Sequence, residues 1–95
     1  MKKHEFYSMM LKDNKKQAVK HEGYTDGVYN YYKGASQWFA IVPAVGLSVC
    51  QAYTRKEAAA QAHKLTQKVK ERLQAIPGAI EEFTRFRSEA KITEV

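Results

Sequence analysis

Residues 29–42 read YNYYKGASQWFAIV and carry five aromatic rings, Tyr29, Tyr31, Tyr32, Trp38 and Phe39. Aromatic and β-branched residues in short runs favour strands. Gly34, Ala35 and Ser36 cut the run as a hairpin loop would. The stretch therefore reads as two strands, 28–33 and 37–43, the second ended by Pro43. "AVG" turns the chain, and residues 47–53 (LSVCQAY) alternate as a third strand. Successive side chains of a strand point to opposite faces. Trp38, Ala40 and Val42 then oppose Phe39 and Ile41, and Tyr32 opposes Tyr29 and Tyr31, so both faces of the small sheet are apolar. A sheet with helices on one side only would show a polar outer face. The second face is expected to be covered by other helices, a second copy of the chain, or a ligand.

Downstream, Thr54 followed three residues later by Glu57 forms a capping box. Ala58, Ala62, Leu65, Val69, Leu73 and Ile76 then recur at helical spacing as one apolar stripe. A single long helix is expected, stopped by Pro77 and Gly78. Residues 79–90 repeat the period with Ala79, Phe83, Phe86 and Ala90, and the final KITEV is expected to fray. Upstream, Phe6, Met9, Met10, Leu11 and Ala18 fall at helical spacing, predicting a helix over 4–20. Asp13 and Asn14 favour caps and turns, so that helix is expected to break and restart there. Residues 22–28 form a turn. The expected fold is α+β: one domain over 1–95, a small three-stranded antiparallel sheet flanked by helices, in the order α-β-β-β-α-α.

Ninety-five residues support one core. The absence of an apolar run of about 18 residues excludes a membrane-spanning helix. The charged N-terminus is not a secretory signal, which implies a cytoplasmic protein. Cys50 is the one cysteine, so no intrachain disulfide forms, and its apolar neighbours mark it as a buried side chain.

The net charge is +6 and unevenly spread. Residues 1–22 carry six lysines against three acids, and residues 54–72 carry six basic residues against two acids. Such a balance favours polyanionic partners. Lys64, Lys68 and Arg72 stand four apart on the long helix, while Lys56, His63 and Lys70 stand seven apart beside them. Arg55 and Lys56 occupy the first turn, where positive charge opposes the helix dipole. Helix stability alone would place acids there, so these two residues with the free N–H groups suggest a phosphate or carboxylate site. Tyr29 and Tyr31, with Lys33 on the same strand face, are the rings expected to stay open for stacking or docking, because their hydroxyls tolerate water.

Chemistry for catalysis is not evident. His4, His21 and His63 are far apart in sequence and read as surface residues without acidic or thiol partners at ligand spacing. No phosphate loop, nucleophile elbow or zinc-protease motif occurs. Asp26 and Glu22 flank a turn without forming an acid–base pair. The expectation is a non-enzyme with no cofactor and no metal.

The stretch WFAIVPAVGLSVCQAYTRKEAAAQA, residues 38–62, resembles the β-hairpin and helix start of HicB-like antitoxins, in which a Pro ends one strand and a Thr caps an EAxxxA helix. Pro43, Thr54, Glu57, Ala58 and Ala62 match that layout. The element order also resembles a double-stranded-RNA-binding domain, whose second helix opens with basic residues that clamp phosphates, at the place of Arg55 and Lys56.

Together these features imply a small basic binding module that takes nucleic acid through Arg55, Lys56, Lys64, Lys68 and Arg72, with Tyr29, Tyr31 and Lys33. The alternative is a protein-directed inhibitor or antitoxin-like subunit, of the kind mobile elements encode, that blocks a nucleic-acid-handling enzyme. A homodimer that covers its own second sheet face is a third option.

Overall fold

The computed structural model describes the backbone of residues 1–93 and the side chains of residues 1–90. Five strands come first, β1 (Lys2–Lys12), β2 (Lys15–Thr25), β3 (Asn30–Lys33), β4 (Trp38–Ile41) and β5 (Ser48–Ala52). Three helices follow, α1 (Arg55–Lys64), α2 (Thr66–Ala75) and α3 (Gly78–Thr93). The strands form one antiparallel meander in the order β1-β2-β3-β4-β5. This corrects the expected three-stranded sheet and the α-β-β-β-α-α order.

Residues 2–25 form a long hairpin, not a helix, paired in unbroken register from Lys2↔Thr25 to Lys12↔Lys15. Asp13 (φ 52°) and Asn14 (φ 62°) make its two-residue turn. Both central residues of a type I′ turn need positive φ, and Asp and Asn adopt it most readily after glycine. The same two residues that weakened a helical reading are therefore the turn itself. Phe6 and Ser8 are buried and Tyr7 is not, the period of a strand.

The β3–β4 and β4–β5 ladders match the strands expected over 28–33, 37–43 and 47–53 to within a few residues, whereas the β2–β3 ladder was not expected and takes in part of the segment, 22–28, read as a turn. β2 joins β3 only through Tyr24↔Tyr31 and Thr25↔Asn30. The rest of the hairpin bends back, and Met9 N–H donates to the Gly46 carbonyl in the β4–β5 loop at 2.8 Å. Gly46 has φ 67°, and a Cβ there would collide with the Phe83 ring. Phe83 of α3 is buried in this corner, and Lys16 of β2 pairs with Glu82 of α3 at 3.2 Å.

The core on one face joins Tyr29, Tyr31, Ala40, Val42, Val45 and Ala52 to Ala58 and Ala62 of α1. The alanines let the helix approach the sheet closely. By alternation the other face carries Phe6, His21, Tyr32 and Phe39, and their rings pack in succession, with His21–Tyr32 stacked at 3.9 Å and Tyr32–Phe39 at 5.2 Å. Both faces are apolar as expected, and the chain's own rings and Phe83 occupy the second. Thr54 caps α1, its Oγ1 accepting from Glu57 N–H at 3.1 Å. The expected single helix is two: Leu65 has φ −94° and ψ 3°, and its N–H is shared between the Gln61 and Ala62 carbonyls. The expectation for the last two residues, 94 and 95, lies outside the described ones; α3 runs on to Thr93. No helix among the described residues is long and apolar enough to cross a membrane.

Candidate functional site

The start of α1 lies over the sheet where β2 and β4 present two rings to it. Tyr24 and Trp38 sit 6.1 Å apart at 51°. The Arg55 guanidinium lies 4.0 Å from the Tyr24 ring centroid and 5.7 Å from that of Trp38. A cation over aromatic faces is held electrostatically by the ring quadrupole, which fixes this otherwise flexible side chain. Tyr53, just before the helix cap, is 74% exposed. With Met1, Thr54, Lys56 and Ala59 these residues line an open cavity of about 540 Å³. Lys3 is the register partner of Tyr24, and Lys33 that of Trp38. Directly opposed residues share a face, so Lys3 and Lys33 lie on the sheet face of Tyr24 and Trp38, while Arg55 and Lys56 line the cavity itself.

The sequence-derived candidates are divided by this geometry. Arg55, Lys56 and Lys33 belong to the patch. Tyr29 and Tyr31, expected to be open, are 2% and 0% exposed and belong to the core. Their hydroxyls are satisfied inside the protein: Tyr29 bonds to Thr66 Oγ1 at 2.9 Å, and Tyr31 donates to Asp26 Oδ2 at 2.6 Å. Tolerance of water was the premise of their exposure, and internal partners remove the need for it. Lys64 is exposed at the end of α1, and Lys68 and Arg72 lie beyond the break at Leu65, beside β5. The expected continuous basic face is thus two separate basic regions.

Tyr24, Trp38 and Tyr53 were not among the expected site residues. Alternation already puts Trp38 on the face of Ala40, and Tyr53 abuts the capping box. Tyr24 joins them only through the hairpin.

A second polar cluster ties the β2–β3 turn to the helices. Asp26 Oδ1 accepts the Val28 and Tyr29 N–H groups at 2.9 and 2.8 Å, and Oδ2 also meets His63 Nε2 at 2.7 Å. Burial alone would raise the carboxyl pKa, but the hydrogen bonds from Tyr29, Tyr31, His63 and Val28 together hold it far below the usual carboxylate range. Burial and the Asp26 carboxylate push the Tyr31 phenol well above its ordinary value. His63 is exposed, as expected of a surface histidine, and has an acidic partner 37 residues away in sequence. His21 departs from the expected surface position: it is half-buried, with Nε2 and Ser8 Oγ hydrogen-bonded at 2.6 Å. Around Asp26 the hydrogen-bonding groups belong to one turn, one core strand and one helix end, which makes the cluster a tether. Cys50 is half-buried, its Sγ donates to the Ala58 carbonyl at 3.4 Å, and burial raises its thiol pKa. Among the described residues no three His, Cys, Asp or Glu side chains converge as metal ligands.

No family model, curated protein or solved structure matches the chain.

Proposed function

We propose that the chain is a non-enzymatic, cytoplasmic binding module for nucleic acid, acting through the rings of Tyr24, Trp38 and Tyr53 and the cations Lys3, Lys33, Arg55 and Lys56. The observation that carries this reading is Arg55 fixed over Tyr24 and beside Trp38 at the mouth of an open cavity. Phosphates are met by Arg, Lys and the free N–H groups of a helix start, and these contacts carry no base preference. Exposed rings add stacking, which every base accepts. The role is sequence-independent binding, with single strands favoured because their bases are free to stack.

The test is fluorescence anisotropy with a labelled oligothymidylate and with a duplex of the same length. Four phosphate contacts give a log–log salt slope of about −3 for a single strand, so affinity falls about 50-fold between about 50 and 200 mM salt. Lys56→Ala reduces the slope by about 0.7. Tyr53→Ala costs about 1–3 kcal/mol of affinity without altering the slope. No retention at low salt, or a flat salt response, overturns the reading. The alternative of a protein-directed, antitoxin-like inhibitor docking through Tyr29 and Tyr31 has lost that surface to the core, so it would need a different one.

A further inference from the structure

Among the described residues β5 is a terminal strand of the sheet and forms its ladder with β4 only. α2 lies beside it, contains no buried residue, and leaves Val69 and Leu73 half-covered and Ile76 54% exposed. Between the two elements runs a groove of about 390 Å³, with Val45, Leu47, Val49, Val69, Leu73 and Ile76 on its walls. Leu47 at its mouth is 49% exposed. Past Leu47 and Ile76 the apolar surface continues to Met10 and Leu11 at the hairpin end. Among the described residues, the charged side chains lining the β5–α2 groove are Lys68 and Arg72, and no acid lines it. Neither forms an ion pair among the described residues. Lys16, in the adjoining groove, is already paired with Glu82.

We propose that this groove binds an extended, acidic segment of another protein, added to β5 as a sixth strand. A strand edge offers unpaired N–H and C=O groups that an incoming strand satisfies. Every second side chain of that strand faces the groove, and these positions carry aliphatic groups against Val49, Val69 and Leu73 and carboxylates against Lys68 and Arg72 in turn. β5 has five residues, so the matching segment needs about five to seven. Charge decides against a second copy of this chain. A twofold β5–β5 pairing would bring Lys68 and Arg72 of both copies to one interface, and each chain carries +6. The surface is distinct from the Tyr24–Trp38–Tyr53 patch, so either reading can fail without the other.

The probe is a fluorescein-labelled peptide of about eight residues with Val and Glu in turn at the groove-facing positions and Thr between them. It is compared with a Lys-for-Glu peptide and with a version N-methylated at alternate backbone nitrogens. Anisotropy gives the affinity, and amide shift mapping on the full chain gives the place. The expected result is saturable binding of the Glu peptide with shifts confined to residues 47–52 and 65–76. N-methylation and the double variant Lys68→Glu/Arg72→Glu, both at exposed positions, each weaken it by about tenfold or more. Val49→Asp, with the fold checked by circular dichroism, abolishes it. The proposal is overturned by no saturation at about 1 mM, by equal binding of the Lys peptide, or by shifts elsewhere. Indifference to N-methylation overturns strand addition, and a sedimentation dimer that buries the groove overturns the choice of occupant.

Discussion

At the scale of single residues, Asp26 concentrates more of the chain's polar contacts than any turn residue needs for its own local geometry. It closes the β2–β3 turn, orders the Tyr31 hydroxyl in the core and holds His63 at the end of α1. Asp26→Asn keeps the shape but loses the charge that strengthens these bonds, and about 2 kcal/mol of stability is expected to go with it. Urea unfolding of the variant at neutral pH measures this. Because the folded carboxyl titrates far below its free value, the contribution is complete above about pH 4 and erodes as pH falls further. The variant's acid-unfolding curve should therefore be flatter than that of the parent below about pH 4. His21 acts in a higher window. Burial lowers its pKa, so the unfolded chain takes up the proton first, and stability falls as pH drops below about 6.5. Replacing the pair together, Ser8→Ala with His21→Phe, leaves no orphaned hydroxyl and should flatten the stability profile between about pH 7 and 5. An unchanged slope would mean that His21 does not set it.

At the scale of elements, the hairpin and the α3 corner show what local pattern discloses and what it hides. The three strands over 28–53, the Thr54 cap and the stop at Pro77 and Gly78 were legible because each rests on near neighbours in sequence. The strand character of 2–25 was not. Phe6, Met9 and Met10 also satisfy a helical period, and Asp13-Asn14 lacks the glycine that usually announces a type I′ turn. The break at Leu65 was hidden too, since the apolar stripe runs through it without a phase change. Tyr29 and Tyr31 were misplaced for a related reason. A buried phenol needs a polar partner, and that of Tyr29 is Thr66, 37 residues on. Gly46 offers a direct test of the corner. Gly46→Ala combines an unfavourable positive φ with a clash against Phe83, and should cost about 1–3 kcal/mol. Adding Phe83→Leu, which makes room, should recover part of that loss in thermal melts. Simple additivity of the two losses would show that the ring and residue 46 do not meet.

At the scale of the whole molecule, six of the sixteen Lys and Arg residues gather at two places of different character. One is a ring-lined patch at the start of α1, the other an aliphatic groove beside β5. A partner of high charge density and flat bases suits the first, and a flexible acidic chain suits the second. The radius of gyration, 13.1 Å, is that of a close-packed chain of about 100 residues, so the long hairpin is folded in, not projecting. Salt titrations on the two probes should differ accordingly: steep for the oligonucleotide and shallower for the peptide, whose affinity draws largely on apolar contact.

The return of Met9 to Gly46, wedged by Phe83, bears on how a growing chain matures. Residues 2–25 are synthesised before Phe83 and can sample their hairpin within microseconds, whereas the ring that locks the corner follows several seconds later, at about 5–20 residues per second. Until then Met10 and Leu11 border an unfilled socket. Chains released at residue 77 should accordingly bind a dye for exposed oily surface and sediment as aggregates, while full-length chains do neither. Clear, dye-silent truncated chains would instead show that the first 77 residues close the corner unaided.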